Sequence, residues 1–386
     1  MTDFNTIRQY NFPTVIRFGA GAISELPGHL VSNGLSKPLL VTDPMVAQLG
    51  FFSEIRRALE ARGLSVEVFS DIHKNPVKSD VLKGGEAFAA TGRDSIVGIG
   101  GGAAMDVARA VVLRVHHRRD LFDYDDLIGG DQYVTEDVPY FITVPTTAGT
   151  GSEVGRSAII SEDDTHRKRI LFSPKLLAKI VFADPMLTME LPPFVTAATG
   201  MDALTHNLEA YLAKQFHPMC EGIALEGVAL INGSLAEATH RPDLESRSRM
   251  LLGSLMGAVA FQKGLGVVHS LAHPLSSLLD THHGLANAVN LPYGMRYNIS
   301  GSEEKFGRIA QVMRLSGRSG RDGEAVVERL FAFNGELGLP TRLRDIGVKE
   351  AHIETLADLA FADFAHPNNP KPVSREDFKK LYTEAL

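Results

Sequence analysis

The chain of 386 residues has 44% apolar and 22% charged side chains and a formal net charge of −7. It exceeds the size at which a single hydrophobic core stops growing, so we expect two domains, and its negative charge argues against nucleic acid or anionic lipid as a main partner. The single cysteine, Cys220, excludes an internal disulfide and suits a reducing cytosol. The beginning of the chain lacks a signal-peptide pattern and no apolar run reaches eighteen residues, so we expect a cytoplasmic protein without a membrane segment.

Residues 14–185 alternate short apolar runs with amphipathic stretches. Loops rich in Gly, Thr or Asp follow the apolar runs, which is typical of βαβ units and a mostly parallel sheet. We predict strands in KPLLVTD (37–43), SVEVFS (65–70), SIVGIGGG (95–102), PYFITVPTT (139–147) and AKIVFADP (178–185), and helices in FFSEIRRALEARG (51–63) and SDVLKGGEAFAATG (79–92). Ligands of such sheets bind beyond the carboxyl ends of the strands.

The strand pattern stops near residue 188. Segments 192–213, 219–240, 246–264 and 323–338 carry apolar residues at the helical period. The sequence therefore predicts an α/β domain over residues 1–187 and an all-α domain over residues 188–386.

Two glycine-rich loops follow predicted strands of the first domain. GIGGGAAMD (98–106) satisfies the G-x-G-x-x-G/A fingerprint, in which glycines let the backbone approach a pyrophosphate at a helix start. PTTAGTGSE (145–153) adds hydroxyl groups that suit the polar atoms of a nucleotide. The alternatives are a tight turn without a ligand for the first loop and helix capping for the second. Together, the two loops favour a nucleotide-binding crevice.

Asp43 ends the predicted strand LLVTD. A carboxylate there accepts hydrogen bonds from an adenosine ribose and repels a 2′-phosphate, which favours NAD over NADP. The usual fingerprint places this acid about twenty residues after the glycine loop, whereas Asp43 precedes it. We therefore expect a sheet connectivity that differs from the common Rossmann domain.

Histidines are concentrated in the second domain. Asp202 and His206 are four residues apart in a predicted helix, and His269 and His273 have the same spacing, so each pair shares one helix face. THHG (281–284) adds two more histidines. One carboxylate and several imidazoles suit Fe²⁺ or Zn²⁺. Spacing alone does not separate His269 from His273, or the first from the second histidine of THHG.

Four segments carry a resemblance to a known family: GGGAAMD, PTTAGTGSE, ATGMDALTHNLEAY and GLGVVHSLAHPLSSLLDTHHG. Together they resemble the iron-containing (group III) alcohol dehydrogenases, in that family's order and over nearly the whole chain. The resemblance implies an N-terminal dinucleotide-binding α/β domain, an all-α C-terminal domain as in the dehydroquinate synthase-like fold, and a metal in the cleft between them. Glycerol dehydrogenase, dehydroquinate synthase and maleylacetate reductase share this fold, and the four-ligand set favours the alcohol dehydrogenase branch.

The resemblance also assigns residues to roles. It implies that the metal, Fe²⁺ or alternatively Zn²⁺, is bound by Asp202, His206, His269 and His283. It implies that His273 is a catalytic residue near the nicotinamide and the substrate. The implied NAD contacts are Asp43, Asn75, Gly101, Gly102, Thr146, Thr147, Ser152 and Lys168.

The chain departs from the family pattern at three positions. The family has GGGS followed by D-x-A-K, whereas Ala103 and Arg109 stand at the serine and lysine positions here. Without the serine hydroxyl, one phosphate contact is open to question, while the backbone donors remain. The usual proline before the last ligand is His282 here, which leaves His282 as an alternative ligand.

Three segments, FQKGLGVVHSLAHPL, GIALEG and TGSEVGRSAII, are similar to 4-hydroxybutyrate dehydrogenases. Such an enzyme binds a distal carboxylate, for which Arg156 and Lys263 are the candidate partners, with surface charge as the alternative role.

The implied function is reversible hydride transfer between NAD and a small primary alcohol or ω-hydroxy acid, with His273 carrying the proton. The alternatives are a metal-dependent lyase or cyclase of the dehydroquinate synthase type and a catalytically silent nucleotide-binding scaffold. We expect a homodimer that acts on a small alcohol or aldehyde and binds neither nucleic acid nor membrane.

Overall fold

The computed structural model describes residues 12, 14–165, 167–315 and 320–386. The chain divides by its internal packing into two compact units. The first unit comprises residues 14–147 and 151–190, and the second comprises residues 148–150 and 191–386. The division falls between Glu190 and Leu191, whereas the sequence predicted a domain boundary at 187/188.

The first unit is built on a six-stranded parallel sheet with the order β1-β8-β5-β4-β2-β3. Its strands are β1 (Val15–Phe18), β2 (Pro38–Val41), β3 (Glu67–Phe69), β4 (Ser95–Gly100), β5 (Tyr140–Pro145) and β8 (Ile180–Ala183). A separate antiparallel pair consists of β6 (Ser157–Ser161) and β7 (Lys168–Phe172). The order reverses between β2 and β4, and this is where doubly wound sheets bind their ligands.

Helices cover both faces of this sheet. They are α1 (Leu26–Ser32), α2 (Gly50–Ala61), α3 (Lys78–Ala90) and α4 (Gly102–His116). Side chains of α1 and α2, such as Leu30 and Leu59, share one core with Leu40 and Val97 of the strands. Side chains of α3 and α4, such as Val81 and Val111, pack in a second core on the opposite face. Burial on both faces explains why β2, β4 and β8 read as continuous apolar runs.

The five strands and two helices predicted for this unit are confirmed within a few residues of their limits. The sequence did not predict β1 or the β6–β7 pair. Strands β6 and β7 are joined by a polar segment instead of the helix that the βαβ pattern requires.

The second unit is helical over the part that the structure describes. Its helices are α5 (Pro193–Leu212), α6 (Pro218–His240), α7 (Leu244–Ala260), α8 (Val267–Leu279), α9 (His283–Asn298), α10 (Glu303–Val312), α11 (Asp322–Glu336), α12 (Ile353–Phe361) and α13 (Arg375–Ala385). The α/β sheet followed by a helical unit confirms the predicted fold class. By length and composition α6 could cross a membrane, as could α7 and α8 as one span bent by 106°. In the structure α6 packs against α5 and α7 as a core helix.

Gly227 of α6 marks the close approach of α6 to α5. A Cβ at this position would lie 2.0 Å from Oδ1 of Asn207. Asn207 has little freedom to move, because its Nδ2 donates to the carbonyls of Ala203 at 2.8 Å and Gly253 at 2.9 Å. Gly222 lies on the exposed face of the same helix, and a Cβ there meets nothing within 4 Å.

We therefore expect Gly227→Ala to lower the free energy of unfolding by roughly 1–3 kcal/mol, since the added methyl overpacks the helix interface. The control Gly222→Ala should raise the free energy of unfolding by up to about 1 kcal/mol, because alanine favours the helix where nothing clashes. Urea unfolding at equal metal loading measures both. Equal stability of the two variants would show that α5 and α6 are not in close contact.

Candidate metal centre and cofactor loops

Four side chains of the second unit bring metal-binding atoms together. Asp202 and His206 lie on α5, His269 lies on α8, and His283 is the first residue of α9. The Nε2 atoms of His206, His269 and His283 lie 4.0, 3.9 and 3.5 Å from Asp202 Oδ1, and one ligand atom from each residue lies within 4.8 Å of all the others. A tetrahedral ion with bonds of about 2.1 Å separates its ligand atoms by about 3.4 Å, so the group fits Fe²⁺ or Zn²⁺.

The charge state of this group also suits a cation. Asp202 is buried, and burial alone raises the pKa of its carboxyl. Electrostatic attraction to the neighbouring imidazoles, to His206 most and to His283 next, outweighs burial and lowers that pKa to about 2, so the carboxylate is ionised. Burial lowers the pKa of His269, which keeps its imidazole neutral, as metal binding requires.

Glu209 lies beyond His269 and orients its ring. Its Oε2 lies 2.6 Å from His269 Nδ1 and also accepts the backbone N–H of His269 at 3.3 Å, while Oε1 accepts that of Val268 at 2.6 Å. Burial raises the pKa of the Glu209 carboxyl to about 7. The backbone N–H donors lower this pKa, but burial has the larger effect. A ring that binds a metal through Nε2 carries its hydrogen on Nδ1, so in the metal-bound state His269 donates from Nδ1 to Glu209 Oε2.

Asn287 of α9 contacts three of the four metal-binding atoms. Its Nδ2 donates to Asp202 Oδ1 at 2.7 Å and lies 3.3 Å from His269 Nε2 and 3.2 Å from His283 Nε2. Asn287 is one helical turn beyond His283, so the same helix supplies the ligand atom and an amide that contacts the group.

His273 and His282 lie outside the four-residue group. The ring of His273 stacks on that of His283, with centroids 5.4 Å apart and an interplanar angle of 15°. Its Nδ1 lies 2.8 Å from Asp363 Oδ2. His282 is the N-cap residue of α9, immediately before the helix. The structure thus brings together the four residues that the family resemblance implied, and separates both pairs that spacing left equivalent.

The two glycine-rich loops meet at the carboxyl ends of β4 and β5. Gly100 has φ +150°, and a Cβ on it would lie 2.6 Å from the Cβ of Ala104 and 3.4 Å from Asp43 Oδ2. A Cβ on Gly101, the N-cap of α4, would lie 3.2 Å from the side chain of Thr147. The start of α4 is therefore adjacent to both Asp43 and Thr147. The first N–H groups of a helix have no partner within the helix, so they are available to a ligand at this place.

Two of the other predicted cofactor residues, Gly102 and Thr146, belong to these loops. Gly102 is the first residue of α4, and the N–H of Thr146 donates to the carbonyl of Gly100 at 3.0 Å. Asn75 lies between β3 and α3, and Lys168 is the first residue of β7.

Ser152 belongs to a buried network around Arg109. Its hydroxyl donates to Asp106 Oδ1 at 2.8 Å and accepts from Arg109 Nη1 at 3.0 Å. Arg109 also donates to the carbonyl oxygens of Ser152 and Ser157, and Asp106 accepts the backbone N–H of Ile159. Arg109, which stands at the family's lysine position, thus connects α4 to the second glycine-rich loop and to β6 by hydrogen bonds.

The two candidate substrate residues have different surroundings. Lys263 is fully buried, and its Nζ donates to Glu221 Oε1 and to the carbonyl of Tyr211, both at 2.8 Å. A lysine already paired in the core is not free to receive a substrate carboxylate, which disfavours this role for Lys263. Arg156 is half-buried, its guanidinium lies 5.5 Å from the centroid of the Phe172 ring, and no described carboxylate pairs with it.

Sequence reasoning missed Glu209, Asn287 and Asp363. A signal existed for the first two, because Glu209 lies seven residues after Asp202, on the same helix face, and Asn287 lies four residues after His283. Asp363 is 90 residues from His273 in the chain, and no local spacing connects them.

Two family models match the chain. The model described as iron-containing alcohol dehydrogenase covers residues 13–185, and that described as Fe-containing alcohol dehydrogenase family, C-terminal, covers residues 196–386. The chain is 38% identical to 4-hydroxybutyrate dehydrogenase of Cupriavidus necator, over 97% of this chain and 98% of that protein. It is 33% identical to lactaldehyde reductase of Escherichia coli strain K12, over 95% and 97%.

Solved structures agree with this similarity. A crystal structure of 1,3-propanediol oxidoreductase matches with a TM-score of 0.94 at 33% identity, covering 98% of this chain and 100% of that one. Sulfoacetaldehyde reductase from Bifidobacterium kashiwanohense, solved in complex with NAD⁺, matches with a TM-score of 0.88 at 26% identity, covering 98% and 99%.

The fold, the metal-binding group and these similarities define an NAD-linked oxidoreductase that acts on CH–OH groups and uses iron. The chain belongs to the iron-containing alcohol dehydrogenase family.

The geometry predicts which histidine of THHG matters for metal binding. His283→Ala should lose the metal, because a four-ligand site that lacks one ligand holds its ion poorly. His282→Ala, a change of the neighbouring residue, should retain it. Elemental analysis after dialysis measures metal per chain in both variants. Loss of metal from His282→Ala together with retention in His283→Ala would reverse the assignment.

Proposed function

We propose that this enzyme oxidises small primary alcohols reversibly with NAD, and that ω-hydroxy acids such as 4-hydroxybutyrate are its preferred substrates. The proposal is carried by the group of Asp202, His206, His269 and His283, three of them buried and His283 half-buried, which suits a divalent cation. We assign these four residues as the metal ligands, with Fe²⁺ as the metal and Zn²⁺ as the alternative.

The bound metal and NAD supply, respectively, polarisation of the substrate oxygen and exchange of a hydride with the carbinol carbon. The residues of the chain bind, orient and move the proton. His273 stacks on His283 but is not one of the four ligands, which places an imidazole beside the metal-binding group. We assign His273 as the catalytic residue that takes the hydroxyl proton in oxidation and returns it in reduction.

We assign the phosphates of NAD to the start of α4 and its adenosine ribose to Asp43. Oδ1 of Asp43 accepts the backbone N–H groups of Met45 and Val46, both at 2.9 Å, which leaves Oδ2 to accept a ribose hydroxyl. Ser152 holds the second loop in place through Arg109 and Asp106 and stays a proposed NAD contact. The other proposed NAD contacts are Asn75, Gly101, Gly102, Thr146, Thr147 and Lys168.

Arg156 is our candidate for the distal carboxylate of the substrate. Its guanidinium has no carboxylate partner among the described residues, and burial lowers its pKa. An unpaired, half-buried arginine favours an anionic ligand. Similarity to a 4-hydroxybutyrate dehydrogenase points to the same substrate class.

We also propose that the enzyme is a cytoplasmic homodimer. The buried, unbridged Cys220 supports a reducing compartment. The dimer stays a prediction from the family resemblance.

Asp43→Gly should lower the ratio of kcat/KM with NAD to kcat/KM with NADP, because it removes the carboxylate that repels the 2′-phosphate of NADP. Asp71→Gly is the matched control, since Asp71 follows the neighbouring strand β3 and pairs with Lys83 instead. Its ratio should equal that of the wild type. An unchanged ratio in Asp43→Gly would exclude Asp43 as the ribose contact.

The wild-type enzyme should reduce NAD with 4-hydroxybutyrate and with uncharged alcohols such as 1-butanol. Arg156→Gln should raise KM for 4-hydroxybutyrate by about ten- to a hundredfold, as expected for a lost charge-assisted hydrogen bond of about 1.5–3 kcal/mol, and leave KM for 1-butanol unchanged. The exposed Arg167 provides a control, Arg167→Gln. Equal effects of Arg156→Gln on both substrates would rule out the carboxylate contact.

A further inference from the structure

His273 is held by a carboxylate from a distant part of the chain. Its Nδ1 lies 2.8 Å from Asp363 Oδ2, and Asp363 follows α12. Phe364 adds a stacking contact, with ring centroids 5.4 Å apart and an interplanar angle of 28°. The His273 ring therefore contacts the rings of both Phe364 and His283, and its Nδ1 contacts Asp363.

The Asp363 carboxylate is fixed by two further donors. Its Oδ1 accepts the hydroxyl of Ser270 at 2.6 Å and the backbone N–H of Ala365 at 2.9 Å. The Ser270 hydroxyl in turn accepts the backbone N–H of His366 at 2.9 Å, so its own hydrogen points to Asp363. Ser270 and His273 both lie on α8, which ties Asp363 to the helix that carries the ring.

These contacts define which nitrogen of His273 bears the hydrogen. Burial alone raises the pKa of Asp363, but His273, Ser270 and the backbone N–H of Ala365 outweigh burial and lower it. An ionised carboxylate only accepts hydrogen bonds, so Nδ1 of His273 donates. In the neutral ring, Nε2 is then the nitrogen that accepts a proton.

Helix α8 shows the same arrangement one turn earlier. Nδ1 of His269 lies 2.6 Å from Glu209 Oε2, and Nδ1 of His273 lies 2.8 Å from Asp363 Oδ2. When His269 binds the metal through Nε2 and Asp363 is ionised, both rings carry their hydrogen on Nδ1. His269 belongs to the metal-binding group and His273 does not, so the two carboxylates serve different rings.

We propose that Asp363 is a positioning residue for the reaction, which accepts the Nδ1 hydrogen of His273 and so presents Nε2 to the substrate hydroxyl. The proposal rests on the proposed function, in which His273 moves that proton. The hydrogen-bond partners of Asp363 are Ser270, His273 and the backbone of Ala365, and none of these is one of the four metal-binding residues, so Asp363 acts through the ring.

Asp363→Asn should lower kcat on the order of 10²–10⁴-fold, since an amide holds either tautomer of the ring. KM for NAD and the metal content should stay at their wild-type values. Asp363→Glu should recover part of the loss, because it restores a carboxylate. Asp358→Asn, which removes an exposed carboxylate of α12 paired with Arg375, is the control and should leave kcat unchanged.

A double-mutant cycle separates positioning from a structural role. If Asp363 acts only through the ring, Asp363→Asn should add no further loss of kcat in a His273→Ala background. Losses of kcat that multiply independently would overturn the proposal.

Glu209→Gln is the contrasting variant, because it should weaken metal binding by about 10–100-fold. A similar loss of metal from Asp363→Asn would overturn the proposal as well.

The tautomer of His273 gives a readout that does not depend on activity. In the Zn²⁺-loaded protein labelled with ¹⁵N-histidine, signals absent from His273→Ala belong to His273. The wild type should show hydrogen on Nδ1, and Asp363→Ala should show the Nε2-H form or a mixture. Hydrogen on Nε2 in the wild type would overturn the proposal.

The two proposals fail in distinguishable ways. An inactive wild type, across the alcohols and hydroxy acids, would defeat the proposed function and the part of this proposal that concerns the reaction. The NMR signals would then still decide whether Asp363 sets the tautomer.

Discussion

The hydrogen bond from His269 to Glu209 is the interaction on which the metal-binding group depends. Glu209 is buried on α5, one turn beyond His206, and it accepts two backbone N–H groups at the start of α8 as well as the ring hydrogen of His269. One carboxylate therefore joins two helices and sets the tautomer of one ring. A buried carboxylate without these donors would be strongly destabilising, so the helices and the ligand are fixed together.

Close helix packing makes this convergence possible. A Cβ on Gly257 would lie 3.1 Å from the Cβ of His206, and one on Gly266 would lie 3.0 Å from Glu209 Oε1. Side chains at these glycines would displace a ligand or the residue that orients it. Helix α8 carries two histidines on one face because they are four residues apart. One of them belongs to the metal-binding group, and the other contacts Asp363. His269 and His273 are identical side chains, and they differ in role because they have different neighbours.

The sequence predicted the strands and helices with strong periodicity, and the family resemblance supplied the four residues that the structure brings together. Spacing could not separate His269 from His273, because both lie on one face of α8, nor His282 from His283, because the start of α9 decides between them. The pairing of Lys263 with Glu221, 42 residues away, was not visible in the local sequence. Asp363 and Arg109 act through contacts of similarly long range, which local patterns do not encode. The β6–β7 pair was missed because it interrupts the alternation of strands and helices.

The most direct test of this account is anomalous diffraction at the iron edge from crystals of the metal-loaded enzyme. The account predicts one iron peak within bonding distance of Asp202, His206, His269 and His283. His273 should be hydrogen-bonded through Nδ1 to Asp363 and should not coordinate the iron. An iron bound by His273 or His282 in place of one of the four would contradict it.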